Sequence, residues 1–221
     1  MTHPRQQPDN PHLAEQPVLA GAPLDDAPLA AVLVHGREQG PEVMLDVAER
    51  LALDDVAYVL PAAAGRSWYP ARYFDPVSDN EPHVSWSLAA LEAAIALART
   101  PAARPLNRIV FGGFSQGACL VAELVARRPR PFAGVAVLTG TLLGPDGQET
   151  EPGPVDRVPM FFASSRHDEW VPLARARSTA EAFRRAGARL EFEVYDDREH
   201  HVSDRAVDGL RRLIGAALDR R

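Results

Sequence analysis

From residue 29 onward, apolar residues follow two alternating periods. Short unbroken apolar runs occur at LAAVLV (29–34), VAYVL (56–60), RIVFG (108–112), GVAVL (134–138) and PMFFAS (159–164). Runs of this length without polar alternation suit strands covered on both faces, as in a parallel sheet. LEFEV (190–194) instead alternates apolar and acidic residues, which predicts a strand nearer the sheet edge. Helical patterns lie between the runs. SWSLAALEAAIALAR (85–99) puts Leu88, Leu91 and Ile95 on one face. SDRAVDGLRRLIGAALDR (203–220) aligns Val207, Leu210 and Ile214 behind Ser203 or Asp204 as N-cap. Alternating strand and helix predict a three-layer α/β fold with a mostly parallel central sheet and right-handed crossovers. No internal repeat and no second domain is visible.

The first 28 residues break the pattern with six prolines and no apolar h-region. A signal peptide needs that apolar run, and a membrane span needs ~20 apolar residues. Residues 1–15 read as a flexible tail, 16–221 as a single domain, and 17–28 as a short edge hairpin. The expected location is the cytoplasm.

Composition narrows the chemistry. A length of 221 residues, 46% of them hydrophobic, suffices for one full core. A net charge of −6 argues against a nucleic-acid or anionic-membrane surface. All 24 basic residues are arginine, so Schiff-base chemistry and a P-loop, which need lysine, are excluded. The single cysteine, Cys119, can neither staple the fold nor build a multi-cysteine zinc site. It falls one turn beyond Ser115 on an apolar helix and reads as a small core residue. His3, His12 and His83 show no ligand spacing, so neither a metal nor a cofactor is expected.

In a parallel sheet, reactive groups collect in loops after the carboxyl ends of strands. Here those loops carry His35-Gly36-Arg37, Gly113-Phe114-Ser115-Gln116-Gly117, Ser165-Arg166-His167-Asp168, and His200-His201. A G-x-S-x-G turn between strand and helix forces its serine into a strained conformation with the hydroxyl exposed above the sheet. Gly113 and Gly117 would keep side chains out of a turn where strand and helix backbones crowd. The helix that begins at Gln116 points its amides at the place where an oxyanion would form. A serine nucleophile needs a base, and the base needs an orienting carboxylate. Asp168 and His200 follow Ser115 in the order of an α/β-hydrolase triad.

These segments resemble the phospholipase/carboxylesterase group of α/β-hydrolases, which includes bacterial carboxylesterases and acyl-protein thioesterases. LVHGRE resembles its oxyanion turn and GFSQGA its nucleophile elbow. HDEWVPLARA resembles the segment with the triad aspartate, and YDDREHHVS the segment with the histidine. SWYPARYFDPVSDNEPHVSWSL is similar to a stretch in one bacterial branch. The resemblance implies an α/β-hydrolase fold without a large cap domain. It assigns Ser115 as nucleophile, Asp168 as acid and His200 as base, with the backbone N–H groups of Arg37 and Gln116 as oxyanion donors. His35 would orient the oxyanion turn.

The expected activity is hydrolysis of carboxylic esters with short to medium acyl chains, acting on a small-molecule substrate. An acyl thioesterase or lysophospholipase would use the same residues. A dienelactone-hydrolase-type enzyme, which uses cysteine at the elbow, and a catalytically silent binding protein fit less well. The oligomeric state, a homodimer included, stays open.

Two departures from the family add charge beside the site: Arg37-Glu38 after His-Gly, and Arg198-Glu199 before the histidine. Arg37 either pairs with a nearby carboxylate or recognises an acidic substrate. Trp68, Tyr69 and Phe74 either line an acyl pocket or pack their own loop. Leu142 and Leu143 are expected to form a partial lid.

Overall fold

A computed structural model of the chain describes residues 10–100 and 103–220. Among the described residues, seven strands form one sheet: β1 Val18–Gly21, β2 Leu29–Val34, β3 Val56–Leu60, β4 Ile109–Phe114, β5 Gly134–Leu138, β6 Pro159–Ser165 and β7 Arg189–Tyr195. Their spatial order is β1-β3-β2-β4-β5-β6-β7, and only β1 runs antiparallel to its neighbour. Five α-helices cover it: α1 Pro41–Leu51, α2 His83–Arg99, α3 Gln116–Arg127, α4 Leu173–Arg185 and α5 Asp204–Asp219.

The unbroken apolar runs follow from burial on both faces. In β2, Ala30, Val32 and Val34 join a core shared with α2, α3 and α4. Leu29, Ala31 and Leu33 join the core beneath α1 and α5. With helices on both sides, neither face of a central strand has a reason to be polar. The acidic alternation of 189–195 reflects its place at the edge, where β7 pairs only with β6. Helix α3 is buried along nearly its whole length, which accounts for its having only two charged residues, Glu123 and Arg127. Its one buried acid, Glu123, is satisfied by the Arg127 guanidinium, the Thr150 hydroxyl and the Leu143 amide. At α5, Ser203 is the N-cap, its hydroxyl accepting from the Ala206 amide.

Two expectations for the N-terminal region need correction. In place of a hairpin within 17–28, a single strand, β1, pairs with β3. The part of the expected tail at residues 1–9 lies outside the described residues. Residues 10–15, however, are not loose: Pro11–Ala14 form a 3-10 turn that buries His12. The Asn10 side chain caps that turn and also donates to the Trp86 carbonyl on α2. Among the described residues, no helix is long and apolar enough to cross a membrane.

The strand order reverses between β2 and β4, because one connection leads outward to β3 and the next returns past β2. That reversal opens a crevice at the carboxyl ends of the two strands, where loops can diverge. His35 follows β2 there, and Ser115 follows β4.

Candidate active site

Ser115 stands between the last residue of β4 and the first of α3, with φ 53° and ψ −120°. Few non-glycine residues adopt such a backbone, and it is held here from both sides. The Ser115 amide donates to the Leu138 carbonyl at 3.0 Å, and its carbonyl accepts from the Cys119 amide at 3.0 Å. The first bond continues the sheet and the second begins the helix. The crowding expected of the turn is present. A Cβ on Gly117 would come within 2.4 Å of the Val34 carbonyl oxygen and 2.5 Å of that of His35. The elbow thus rests directly on the chain leaving β2.

That chain carries the second element of the site. His35 is fully buried, and its Nδ1 lies 2.7 Å from the Gly36 carbonyl oxygen. Its Nε2 accepts from the Ala63 amide at 3.1 Å, so the ring's proton is on Nδ1 and is donated to Gly36. A trans peptide points its C=O and N–H in opposite directions. Fixing the Gly36 carbonyl toward His35 therefore turns the Arg37 N–H the other way. Gly36 lies close to the serine, since a Cβ there would meet Ser115 Cβ at 3.1 Å. The Gln116 amide, first in α3, has no partner within its own helix. The Gln116 side chain is committed elsewhere, accepting from the Trp68 amide and donating to the Tyr69 carbonyl.

Asp168 and His200 complete a continuous line of contacts. His200 Nε2 lies 2.7 Å from Ser115 Oγ, and His200 Nδ1 lies 2.7 Å from Asp168 Oδ2. The other Asp168 oxygen accepts from the Trp170 and Val171 amides at 2.9 and 2.8 Å. Burial alone would raise the Asp168 pKa. Hydrogen bonds from His200 and the two amides outweigh it and hold the carboxyl below its ordinary value. An ionised carboxylate keeps the His200 proton on Nδ1 and leaves Nε2 free to accept from the serine. His201 points away, toward Glu199, 3.5 Å distant, and is exposed.

A cavity of about 560 Å³ opens over Ser115 and His200. Tyr69 and Phe74 line it, as do Tyr73, Phe114, Trp170 and Val171. Cys119 contributes to its floor, and burial pushes that thiol up to about 11, which keeps it neutral. Trp170, two residues after Asp168 in the turn, was not singled out by sequence pattern. It is exposed at the mouth with its ring 6.3 Å from that of His200.

Other expected lining residues sit elsewhere. Trp68 is fully buried behind the wall, with its indole N–H donating to the His35 carbonyl and its ring tilted against those of His12 and His35. Leu142 and Leu143 form no lid; they lie in the core under α3 and α4. Their loop is drawn inward because Thr179 and Glu123 accept the Leu142 and Leu143 amides, while Arg175 donates to the Leu142 and Gly144 carbonyls. Arg37 and Glu38 line the cavity, joined by Arg72 and Glu169. Arg198 and Glu199 are exposed outside it. Among the described residues, no group of three or more His, Cys, Asp or Glu side chains is placed to hold a metal ion.

Comparison with known proteins bears on the family and the fold. A sequence model described as phospholipase/carboxylesterase matches residues 23–217. A phospholipase/carboxylesterase structure from Dyadobacter fermentans superposes with a TM-score of 0.82 at 30% identity, covering 90% of this chain and 96% of that one. The Bacillus cereus carboxylesterase superposes with a TM-score of 0.72 at 16% identity, covering 92% and 94%. Acyl-protein thioesterase 1 of Cryptococcus neoformans var. neoformans is 24% identical over 230 residues, spanning 89% of this chain and 95% of the fungal protein.

Proposed function

The chain belongs to the phospholipase/carboxylesterase family of α/β-hydrolases, a family of esterase and thioesterase type, and on that premise we propose that it hydrolyses carboxylic esters through an acyl-serine intermediate. The observation that carries this reading is the line of two 2.7 Å contacts from Ser115 Oγ through His200 to Asp168.

In this reading His200 Nε2 takes the Ser115 proton as Oγ attacks the ester carbonyl. Asp168 stabilises the imidazolium and holds its tautomer without itself becoming protonated. The oxyanion is received by the Arg37 and Gln116 amides, each such donor contributing about 3 kcal/mol of transition-state stabilisation. His200 returns its proton to the departing alkoxide, leaving the acyl group on Ser115. Water then attacks the acyl-enzyme with His200 again as base, and the acid is released. All groups needed are on the chain.

Short to medium acyl chains suit the cavity. Its lining carries four charged side chains, Arg37, Glu38, Arg72 and Glu169. The same atoms would serve a thioester, a second reading favoured by the fungal acyl-protein thioesterase relative. The deciding measurement is kcat/KM across p-nitrophenyl esters from acetate to palmitate beside matched acyl-CoA thioesters. We expect a maximum at or below medium chains and a preference for esters. A maximum at palmitate, or thioesters turned over faster than esters of equal length, would reverse the assignment.

A further inference from the structure

The cavity over Ser115 contains a guanidinium that, among the described residues, forms no ion pair with a carboxylate. Arg37 is half-buried, and its guanidinium is held by the Pro70 carbonyl at 2.9 Å and by the Ala71 carbonyl at 2.5 Å. It lies 5.7 Å from the centroid of the Tyr69 ring. Among the described residues it has no carboxylate partner, so the first of the two sequence readings does not hold. Carbonyl oxygens accept hydrogen bonds but do not neutralise a formal charge. A guanidinium has five N–H donors, and these two contacts leave the other three uncommitted. Arg72 stands beside it on the 69–74 loop, its guanidinium 5.6 Å from the Phe74 ring centroid and likewise without a carboxylate partner among the described residues.

Both arginines line the cavity together with the nucleophile, Arg37 half-buried and Arg72 exposed at the rim, so Arg37 is the principal charge. Glu38 and Glu169 line it too, but both are exposed, where water screens them. Arg37 differs because its charge is partly desolvated and fixed in position. The same residue would offer its amide to the oxyanion, so its guanidinium is tethered one side chain's length from the reacting carbonyl. A planar fork of N–H donors matches a carboxylate with two acceptor oxygens.

We propose that Arg37, with Arg72 beside it, forms an anion subsite, and that the substrates are carboxylic esters bearing a second, ionised carboxylate a few bonds from the ester. This rests on Ser115 being the nucleophile. The anion can sit on the acyl or on the alcohol side, and the two are separable.

The test compares p-nitrophenyl butyrate, the mono-p-nitrophenyl ester of glutarate and 3-carboxy-4-nitrophenyl butyrate, with wild type, Arg37→Gln and Arg72→Gln. In wild type, one of the two anionic esters should exceed the neutral one in kcat/KM by about tenfold, the scale of one charge-assisted contact. The one that does identifies the side. The preference should shrink with added salt and largely vanish in Arg37→Gln, with a smaller loss in Arg72→Gln. Loosening of the 70–71 tether would lower turnover of neutral and anionic esters alike, whereas loss of the subsite changes their ratio. A neutral ester preferred by wild type, or a ratio untouched by both substitutions, overturns the proposal.

Calorimetric titration with glutarate itself reads the subsite without catalysis. Wild type and Ser115→Ala should bind it equally, and Arg37→Gln about tenfold more weakly. Should no ester be turned over while glutarate binding still depends on Arg37, the nucleophile reading fails and the subsite stands. Glutarate binding that ignores Arg37 and Arg72 sinks the subsite alone.

Discussion

His12 and His35 accept hydrogen bonds from consecutive amides: Ala64 N–H donates to His12 Nδ1 and Ala63 N–H to His35 Nε2, each at 3.1 Å. A ring nitrogen that accepts from an amide must keep its lone pair, so both rings are held neutral. Their other nitrogens donate to the Trp68 and Gly36 carbonyls. One histidine comes from the N-terminal turn and the other from the turn after β2, and together they clamp the 63–69 loop.

This clamp should be sensitive to acid. Burial, the largest influence, lowers the pKa of both rings below 6.5, outweighing the carbonyl contacts that raise them. The unfolded chain therefore takes up these protons first as pH falls. The contribution is fully present above about pH 6.5 and is lost progressively below it. Urea unfolding should show lower stability at pH 5.5 than at pH 7.5. His12→Phe should cost about 2 kcal/mol at neutral pH by leaving the Ala64 amide and Trp68 carbonyl short of partners. It should also flatten the pH slope. An unchanged slope would remove His12 from the account.

Ser115→Ala should leave the unfolding midpoint within error, because the hydroxyl faces the cavity and its loss opens no void in the core. Ester turnover should fall by several orders of magnitude, and labelling by a fluorophosphonate probe should disappear. Wild type that takes no label would end the nucleophile assignment.

The neighbouring histidines should behave unequally. His200→Ala should cost about as much activity as Ser115→Ala, since the members of such a unit are not additive. His201, turned toward Glu199 and exposed, should tolerate alanine with less than about a tenfold loss. A dead His201→Ala enzyme beside a near-normal His200→Ala one would exchange their roles.

Gly117→Ala tests the contact between the elbow and the chain leaving β2. The added methyl would lie 2.4 Å from the Val34 carbonyl oxygen, and a backbone atom cannot rotate aside. We expect more than about 3 kcal/mol of destabilisation, or no soluble protein. A variant as stable as wild type would show that the two segments are not in register as described.

What the sequence made legible were the features encoded locally. The apolar runs became strands because helices cover both faces, and burial on both sides is written into consecutive residues. Ser115, Asp168 and His200 were legible as candidates because each follows a strand of recognisable pattern, and the structure brings the three side chains into one line of contacts. His12 was passed over because its partners, Ala64 and Trp68, lie far along the chain, and nothing near residue 12 signals them. Leu142 and Leu143 were misplaced for a related reason. The loop that contains them looks free from its prolines and glycines, but Glu123, Arg175 and Thr179 pull it into the core from two different helices. The partner of Arg37 was equally hidden, since main-chain carbonyls leave no trace in side-chain identity.

The seat of Gly117 on the carbonyls of Val34 and His35 also bears on how this scaffold can change over generations. The elbow and the turn after β2 can shift only as one piece, so a substitution that improves fit by moving either one spoils the other. Drift toward new substrates has to be borne by the outer ring, at positions 37–39, 69–74 and 169–172, where side chains border the cavity. Descendants with the same reacting core and dissimilar rims are the expected outcome, and laboratory evolution that randomises only the rim should reach new specificities with fewer dead variants than randomising the elbow.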